Sequence, residues 1–253
     1  MEAREFWAVG DYAVVGELWS APGRDVAAAL DVAGLDAVDV ATGTGVTAIA
    51  IAEQGARSVV GVDATPELLA EAGRRAEAKG LDVTWIEADL ASVPLPDRSA
   101  DVVTSTFGLI FAADPGEAIA ECRRLTRPGG RVVFTSWAAT GLFGQLRQTL
   151  SPYFPEAPEP WHETVAGIRA VVGPEAEIVE RSFTMVVASA EEFVSQLERF
   201  SAPFVLGAEA LGDRWPTARR DLLGTVTAAG STGPDDDAYR AQVSYLVTTI
   251  TET

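Results

Sequence analysis

The sequence predicts an α/β protein, a doubly wound and mostly parallel sheet with helices on both faces. Short apolar runs bounded by turn residues alternate with helical patterns from residue 37 onward. Runs such as "SVVGV" and "ADVVTST" are apolar on both faces, as strands covered on both sides must be. Helix starts are also well marked, by Thr65-Pro66-Glu67 and by Asp114-Pro115 with Glu117.

The first 35 residues read as helical. Phe6, Val9, Tyr12, Val15 and Trp19 recur near helical spacing, against Gly10 and Gly16, and "APGRDVAAALDVAG" forms a second short helix closed by Gly34. Strands are expected at 37–41, 58–62, 82–87, 100–106 and 131–136. Helices are expected at 46–54, 66–79 and 115–125. Beyond Trp137 the pattern changes. A short helix begins a cap in "SWAATGLFGQLRQTL". Four prolines make residues 151–160 a loop, "AEIVERSFTMVV" is a strand, and "SAEEFVSQLERF" is a capped helix. A helix interrupted by Pro216, a polar turn "STGPDDDA" and a last strand "VSYLVTTITE" complete the chain. Dimerisation is not forced, since the last strand is expected to occupy the sheet edge.

Composition excludes several functions. The net charge of −18 repels phosphate backbones and anionic lipids, so nucleic acid and membrane partners are not expected. A single cysteine, Cys122, rules out an internal disulfide framework or a thiolate cluster, and no metal-ligand spacing occurs. The charged amino-terminal stretch lacks the apolar run of a signal peptide, and no segment approaches a membrane span, so the expected location is cytoplasmic.

The chemistry is expected in "VDVATGTGV", the first strand-to-helix turn. In a doubly wound sheet the ligand lies beyond the carboxyl ends of the strands. Gly43 and Gly45 let backbone approach a ligand, with the N–H groups of the next helix facing it. "GTGVTA" also fits a dinucleotide pattern, so a nicotinamide or flavin enzyme stays open at this point, as does a plain tight turn. Asp63, 18 residues after Gly45, ends the second strand where a carboxylate can accept from ribose hydroxyls. Asp89 ends the third, where it can accept from an adenine amine. The Pro-Gly-Gly turn at 128–130 feeds the fifth strand, which is not a dehydrogenase habit.

Taken together, "VDVATGTG", "GVDATPELLAEA", "ADLASVPLPDRSADVV", "IAECRRLTRPGGRVVFTSW" and the aromatic "FWAVGDYAVV" resemble the class I S-adenosylmethionine-dependent methyltransferases, especially the ubiquinone/menaquinone-biosynthesis branch. The likeness is firm over residues 38–137 and looser on the flanks. It departs from the commonest first motif at Ala41, where glycine is usual.

The resemblance implies a Rossmann-like seven-stranded sheet whose last strand is antiparallel. It also implies an N-terminal helical lid (1–35), a cofactor-binding core (36–137), and a cap with the strands that complete the sheet (138–253). The implied cofactor is S-adenosyl-L-methionine. Asp39 would lie near its methionine amino group, Ala41, Gly43 and Gly45 beneath it, Asp63 on the ribose and Ala64 against the adenine. Asp89 and Leu90 would fix the adenine edge, and Thr106 and Phe107 would lie beside the methionine chain and methyl. Trp7 and Tyr12 are candidates for the sulfonium face, where π-density favours a cation, against plain core packing. His162, the one histidine, is a candidate general base in the cap, against a solvated residue at a helix start or one merely tucked beside Trp161.

The implied reaction is in-line methyl transfer to a small, largely apolar or aromatic acceptor, such as a secondary metabolite or a quinone-like molecule, in a monomer or homodimer. The cap aromatics Trp137, Phe143, Tyr153, Phe154, Trp161, Phe200, Phe204 and Trp215, with Leu142, point to such an acceptor. The alternative is a protein of the same fold that uses the bound sulfonium electrostatically, for instance in a cyclisation. Truncating Asp63 to alanine is expected to weaken the cofactor and leave the fold intact.

Overall fold

Runs that are apolar on both faces can bury only between two helical layers, and the central strands do so. The computed structural model describes residues 3–233 and 237–253, so residues 234–236 of the expected polar turn lie outside the described residues. The strands are β1 (Asp36–Val40), β2 (Ser58–Asp63), β3 (Thr84–Glu87), β4 (Ala100–Thr106), β5 (Thr126–Trp137), β6 (Glu177–Val187), β7 (Gly230–Thr232) and β8 (Tyr239–Thr251). Their order is β3-β2-β1-β4-β5-β8-β6, with β7 paired to the start of β8. The first five are parallel and β8 runs antiparallel between β5 and β6. The seven-strand path is as expected, with the short β7 added. The C-terminal strand is internal, however, so the edges are β3 and β6. β8 is paired by β6 over Tyr239–Thr249 and by β5 over Tyr245–Thr251, which makes it an interior strand.

Odd and even strand positions feed different layers. Ala37, Val59, Val102 and Val133 meet Val26, Ala48 and Ile51 of the helices Ala21–Ala29 and Val46–Glu53. Val38, Val103, Phe134 and Leu246 meet Ile119, Leu125 and Ile168 on the opposite face. Ile168 belongs to a helix, Val165–Val172, that the proline-rich stretch conceals in the sequence. It begins cleanly because the Thr164 hydroxyl accepts from Gly167 N. A third core joins the N-terminal segment to the cap, with Val15, Trp19, Leu146, Phe193 and Leu222 against Phe183 and Tyr245.

Several boundaries differ from expectation. Gly10 takes φ +80° and splits the N-terminal run into Ala3–Trp7 and Tyr12–Val15, followed by a 3-10 turn, Gly16–Trp19. The helix Ala21–Ala29 closes on Leu30 rather than Gly34, which bends the following loop at φ +76°. Pro216 kinks nothing. It is the second residue of Trp215–Ala229, where a missing N–H costs no hydrogen bond, and a separate helix, Ala202–Leu211, precedes it. β3 is two residues shorter than expected at its start, and since it ends at Glu87, Asp89 does not end the strand but lies two residues past it.

Candidate active site

The turn after β1 needs three left-handed residues, and two of them are glycines. Ala41 has φ +50°, Gly43 +55° and Gly45 +78°. Gly43 N donates to Asp63 Oδ2 at 2.8 Å, which ties the first turn to the end of β2. Thr65 N donates to Asp63 Oδ1 at 2.9 Å. Asp63 therefore holds two backbone amides together, which sets a structural role beside the ligand role expected from the sequence. Asp39 is 2% exposed and accepts from Thr42 Oγ1 and Thr104 Oγ1, each at 2.6 Å.

A narrow cavity opens where these strand ends meet. Asp39, Ala41 and Gly43 line it from the first turn, Asp63 and Ala64 from the second, Asp89 and Leu90 from beyond β3, and Thr106 and Phe107 from the end of β4. Trp7 and Tyr12 close it from the N-terminal side. Gly45 does not line it. A β-carbon there would lie 2.8 Å from Trp85 Cη2 and 2.9 Å from Ala72 Cβ, so this glycine serves packing beneath the turn, not a ligand above it. Sequence reasoning missed Thr42, Thr44, Thr47, Ser20 and Gly23, which also face the cavity. A signal for Thr47 existed in its position in the first helical turn. Its hydroxyl lies 2.8 Å from that of Thr106.

Burial dominates the electrostatics. It pushes the Asp39 carboxyl up to about 6, against the two threonine hydroxyls that favour its charge. Burial also raises Asp63, against the Gly43 and Thr65 amides. Two desolvated carboxyls thus stand in one cavity with no cationic side chain among the residues lining it. A bound cation would restore their charge.

A second, larger cavity of about 770 Å³ adjoins the first. Trp7, Tyr12, Trp19, Phe107 and Phe111 line both, and so form the partition between them. Phe107 takes φ +57°, rare for a bulky residue, and Thr135 Oγ1 fixes its backbone by accepting from its N–H at 3.0 Å. Its ring stacks on Trp137 at 3.6 Å between centroids, and Trp137 stacks on Phe143 at 4.1 Å. Of the cap aromatics, Trp137, Phe143, Phe154 and Phe204 line this cavity. The others are used elsewhere. Leu142 and Phe200 pack in or against the cap core, and Trp161 packs towards Phe134. Tyr153 donates to Asp221, and Trp215 donates to Glu198.

His162 lines this second cavity and not the first. Burial, with Arg147 nearby, pulls its imidazole down to about 4, so it is neutral at pH 7 and a weak base. Beside it Arg147 Nε donates to both oxygens of Glu163, at 2.8 and 2.9 Å. Among the described residues no group of His, Cys, Asp and Glu side chains could hold a metal ion, and no helix is long and apolar enough to cross a membrane. Cys122 is fully buried, with its thiol pushed up to about 12, and is inert.

Residues 38–134 match the family described as a methyltransferase domain. An uncharacterized protein of Mycobacterium tuberculosis is 39% identical over 154 residues, which cover 60% of this chain and 56% of that protein. A demethylmenaquinone methyltransferase of Thermus thermophilus is 44% identical over 111 residues, 44% of this chain and 50% of that enzyme. The chain thus spans little more than half the length of the curated relatives it matches. The YcgJ protein of Bacillus subtilis superposes with a TM-score of 0.61 at 17% identity, over 92% of this chain and 98% of that one, which shows the shared fold. With the strand order, these matches show that residues 38–134 are similar to a methyltransferase domain, on the Rossmann-like fold of the class I S-adenosylmethionine-dependent methyltransferases.

Proposed function

We propose that the smaller cavity binds S-adenosylmethionine and that the chain transfers its methyl group to a small, apolar or aromatic acceptor in the larger one. The observation that carries this is the shared aromatic partition between a polar cavity at the strand ends and an apolar cavity under the cap. The residues fit the cofactor. Each Asp63 oxygen has a lone pair left after its backbone bond, available to a ribose hydroxyl. Asp39 would face the methionine ammonium, Ala64 the adenine, and the exposed Asp89 and half-buried Leu90, just past β3, the adenine edge. Ala41 and Gly43 form the floor, and Thr106 and Phe107 stand beside the methionine chain.

When bound, the cofactor supplies a methyl group already activated on a sulfonium. The side chains then need only align, exclude water and surround the positive centre. Trp7, Tyr12 and Phe107 do the last two from the partition. Alignment of two bound reactants supplies up to roughly 7–11 kcal/mol in well-oriented cases. No ionised base lines the partition, so an acceptor that must lose a proton would pass it to water or to His162. The weak basicity of His162 makes it a poor sink.

The methyltransferase names of the family and of the Thermus relative support methyl transfer over the cyclising alternative, and the menaquinone-linked relative supports a quinone-like acceptor. The acidic surface supports a small-molecule partner rather than nucleic acid, and a monomer or homodimer in the cytoplasm fits it.

Calorimetric titration with S-adenosylhomocysteine, with reduced nicotinamide dinucleotide as control, tests the reading. Saturable binding near one equivalent supports it. No binding by the folded protein, or binding of the nicotinamide alone, sinks it.

A further inference from the structure

The larger cavity is not uniformly apolar. One end carries Arg147, Glu159, His162 and Glu163, while the other is walled by aromatic rings. The Arg147–Glu163 pair is a built feature. Glu163 is buried, its side chain 5% exposed, and both its oxygens are held by Arg147 Nε. Its backbone carbonyl accepts from Ala139 N at 3.0 Å, and Thr164 caps the next helix. Residues 163 and 164, directly after His162, are therefore held, and the His162 ring meets the Trp161 ring edge-on at 5.7 Å between centroids.

His162 Nδ1 is buried with no hydrogen-bond partner. The imidazole makes no other hydrogen bond in the described structure, so Nε2 is the nitrogen left with access to the cavity it lines. A buried N–H without a partner is rarer and costlier than a lone pair without one. The proton of the neutral ring therefore sits on Nε2, and the cavity end presents one N–H donor. The charge that acts on its ring is the Arg147 guanidinium, which is paired with Glu163 and reaches the exposed Glu159. Because that guanidinium is already paired, an anionic ligand group gains little there, whereas the ring N–H serves a neutral oxygen.

We propose that His162 is a specificity-determining residue that donates from Nε2–H to a neutral oxygen, a carbonyl or hydroxyl, on an aromatic acceptor whose body lies along the ring-lined end of the cavity. Arg147 and Glu163 position it. The proposal rests on the functional reading above only in taking this cavity as the acceptor's. It moves His162 from proton abstraction to recognition, and it excludes aryl carboxylates and phosphates as acceptors.

The test uses three naphthalenes of one size on the full chain without cofactor: 1-acetonaphthone, 1-ethylnaphthalene and 1-naphthoate. Binding is read by tryptophan fluorescence, since Trp19 and Trp137 line the cavity. His162→Phe should weaken the ketone roughly five- to tenfold, the worth of one buried hydrogen bond, and leave 1-ethylnaphthalene within about twofold. His162→Gln, which keeps an N–H, should recover much of the loss. Naphthoate should bind the wild type more weakly than the ketone. Equal losses for ketone and hydrocarbon would reduce His162 to packing and overturn the proposal. So would a preference for naphthoate, or no binding of any of the three. S-adenosylhomocysteine titrated into the same samples keeps the two readings apart. Its failure to bind would sink the methyltransferase proposal and leave the ketone result standing, and a lost ketone preference with normal cofactor binding would do the reverse.

Discussion

A β-carbon on Gly108 would lie 2.4 Å from the β-carbon of Ala41. The family's first motif commonly carries glycine where this chain has Ala41, and the missing side chain at 108 makes room for that methyl. Ala41 also sits at φ +50°, a region that disfavours a side chain by roughly 1–2 kcal/mol.

The pair should therefore be coupled. Gly108→Ala overpacks the turn and should lower stability by about 1–3 kcal/mol. Ala41→Gly should be close to neutral, since relief of the left-handed strain is offset by a freer unfolded chain. The double variant should recover about half of the Gly108→Ala loss, because the Ser105 hydroxyl, 2.9 Å from the added carbon, still crowds it. Denaturant melts of the four proteins measure this, and strictly additive losses would show that the two positions do not share the space.

Asp39 gives a pH prediction. Its folded pKa of about 6 lies above the ordinary 3.8, so the folded protein holds a proton that the unfolded chain releases. The associated stability is full below about pH 4 and is lost as pH rises through 6, by about 3 kcal/mol. Asp39→Asn removes that slope. The variant should melt near the wild-type temperature at pH 4 and above it at pH 8, while binding S-adenosylhomocysteine at least about tenfold more weakly. A variant less stable than wild type at pH 8 would mean that the threonine bonds outweigh the desolvation of the charge.

Much of this was legible in the residues. Alternation with capped helices gave the parallel core, and Asp63 at the end of β2 and Asp89 just beyond β3 could be picked out because a turn follows each apolar run, whereas Asp39, inside β1, was picked out only by the resemblance. The direction in which a missing β-carbon faces is not written in the chain. Gly43 faces the cavity and Gly45 faces Trp85, although the two read alike. The cap resisted for a similar reason, since a ring that lines a cavity and a ring that packs a core have one pattern. Trp137 and Trp161 show both outcomes. The internal position of β8 depends on long-range pairing with β6, which no local signal encodes.

Asp63 couples binding to folding. Asp63→Ala leaves the Gly43 and Thr65 amides without acceptors, which should cost about 2–4 kcal/mol of stability besides cofactor affinity. Asp63→Asn keeps one oxygen acceptor and should cost less than the alanine variant while still weakening S-adenosylhomocysteine. Thermal melts with and without ligand separate the two effects. If Asp63→Ala melts like the wild type, the carboxylate does not hold the turn.

Tyr12 governs access. Its ring lies 3.4 Å from where a Gly43 β-carbon would be, and its hydroxyl accepts from Trp19 Nε1 at 3.2 Å. The cavity beneath is about 100 Å³, below the roughly 300 Å³ at which small-molecule sites begin. A nucleoside with an amino-acid arm needs more room than this, and the expectation is that this ring lifts to admit it and then closes over it. Tyr12→Ala should therefore raise both the association and the dissociation rate of S-adenosylhomocysteine, with the equilibrium constant changing by less than about tenfold. Stopped-flow tryptophan fluorescence can follow this, because Trp7 and Trp19 both line the cavity. Faster dissociation with an unchanged association rate would make Tyr12 a wall of the bound state and not a gate. A slower association would mean that the ring recruits the ligand, and the closing motion would then have to be sought at Trp7.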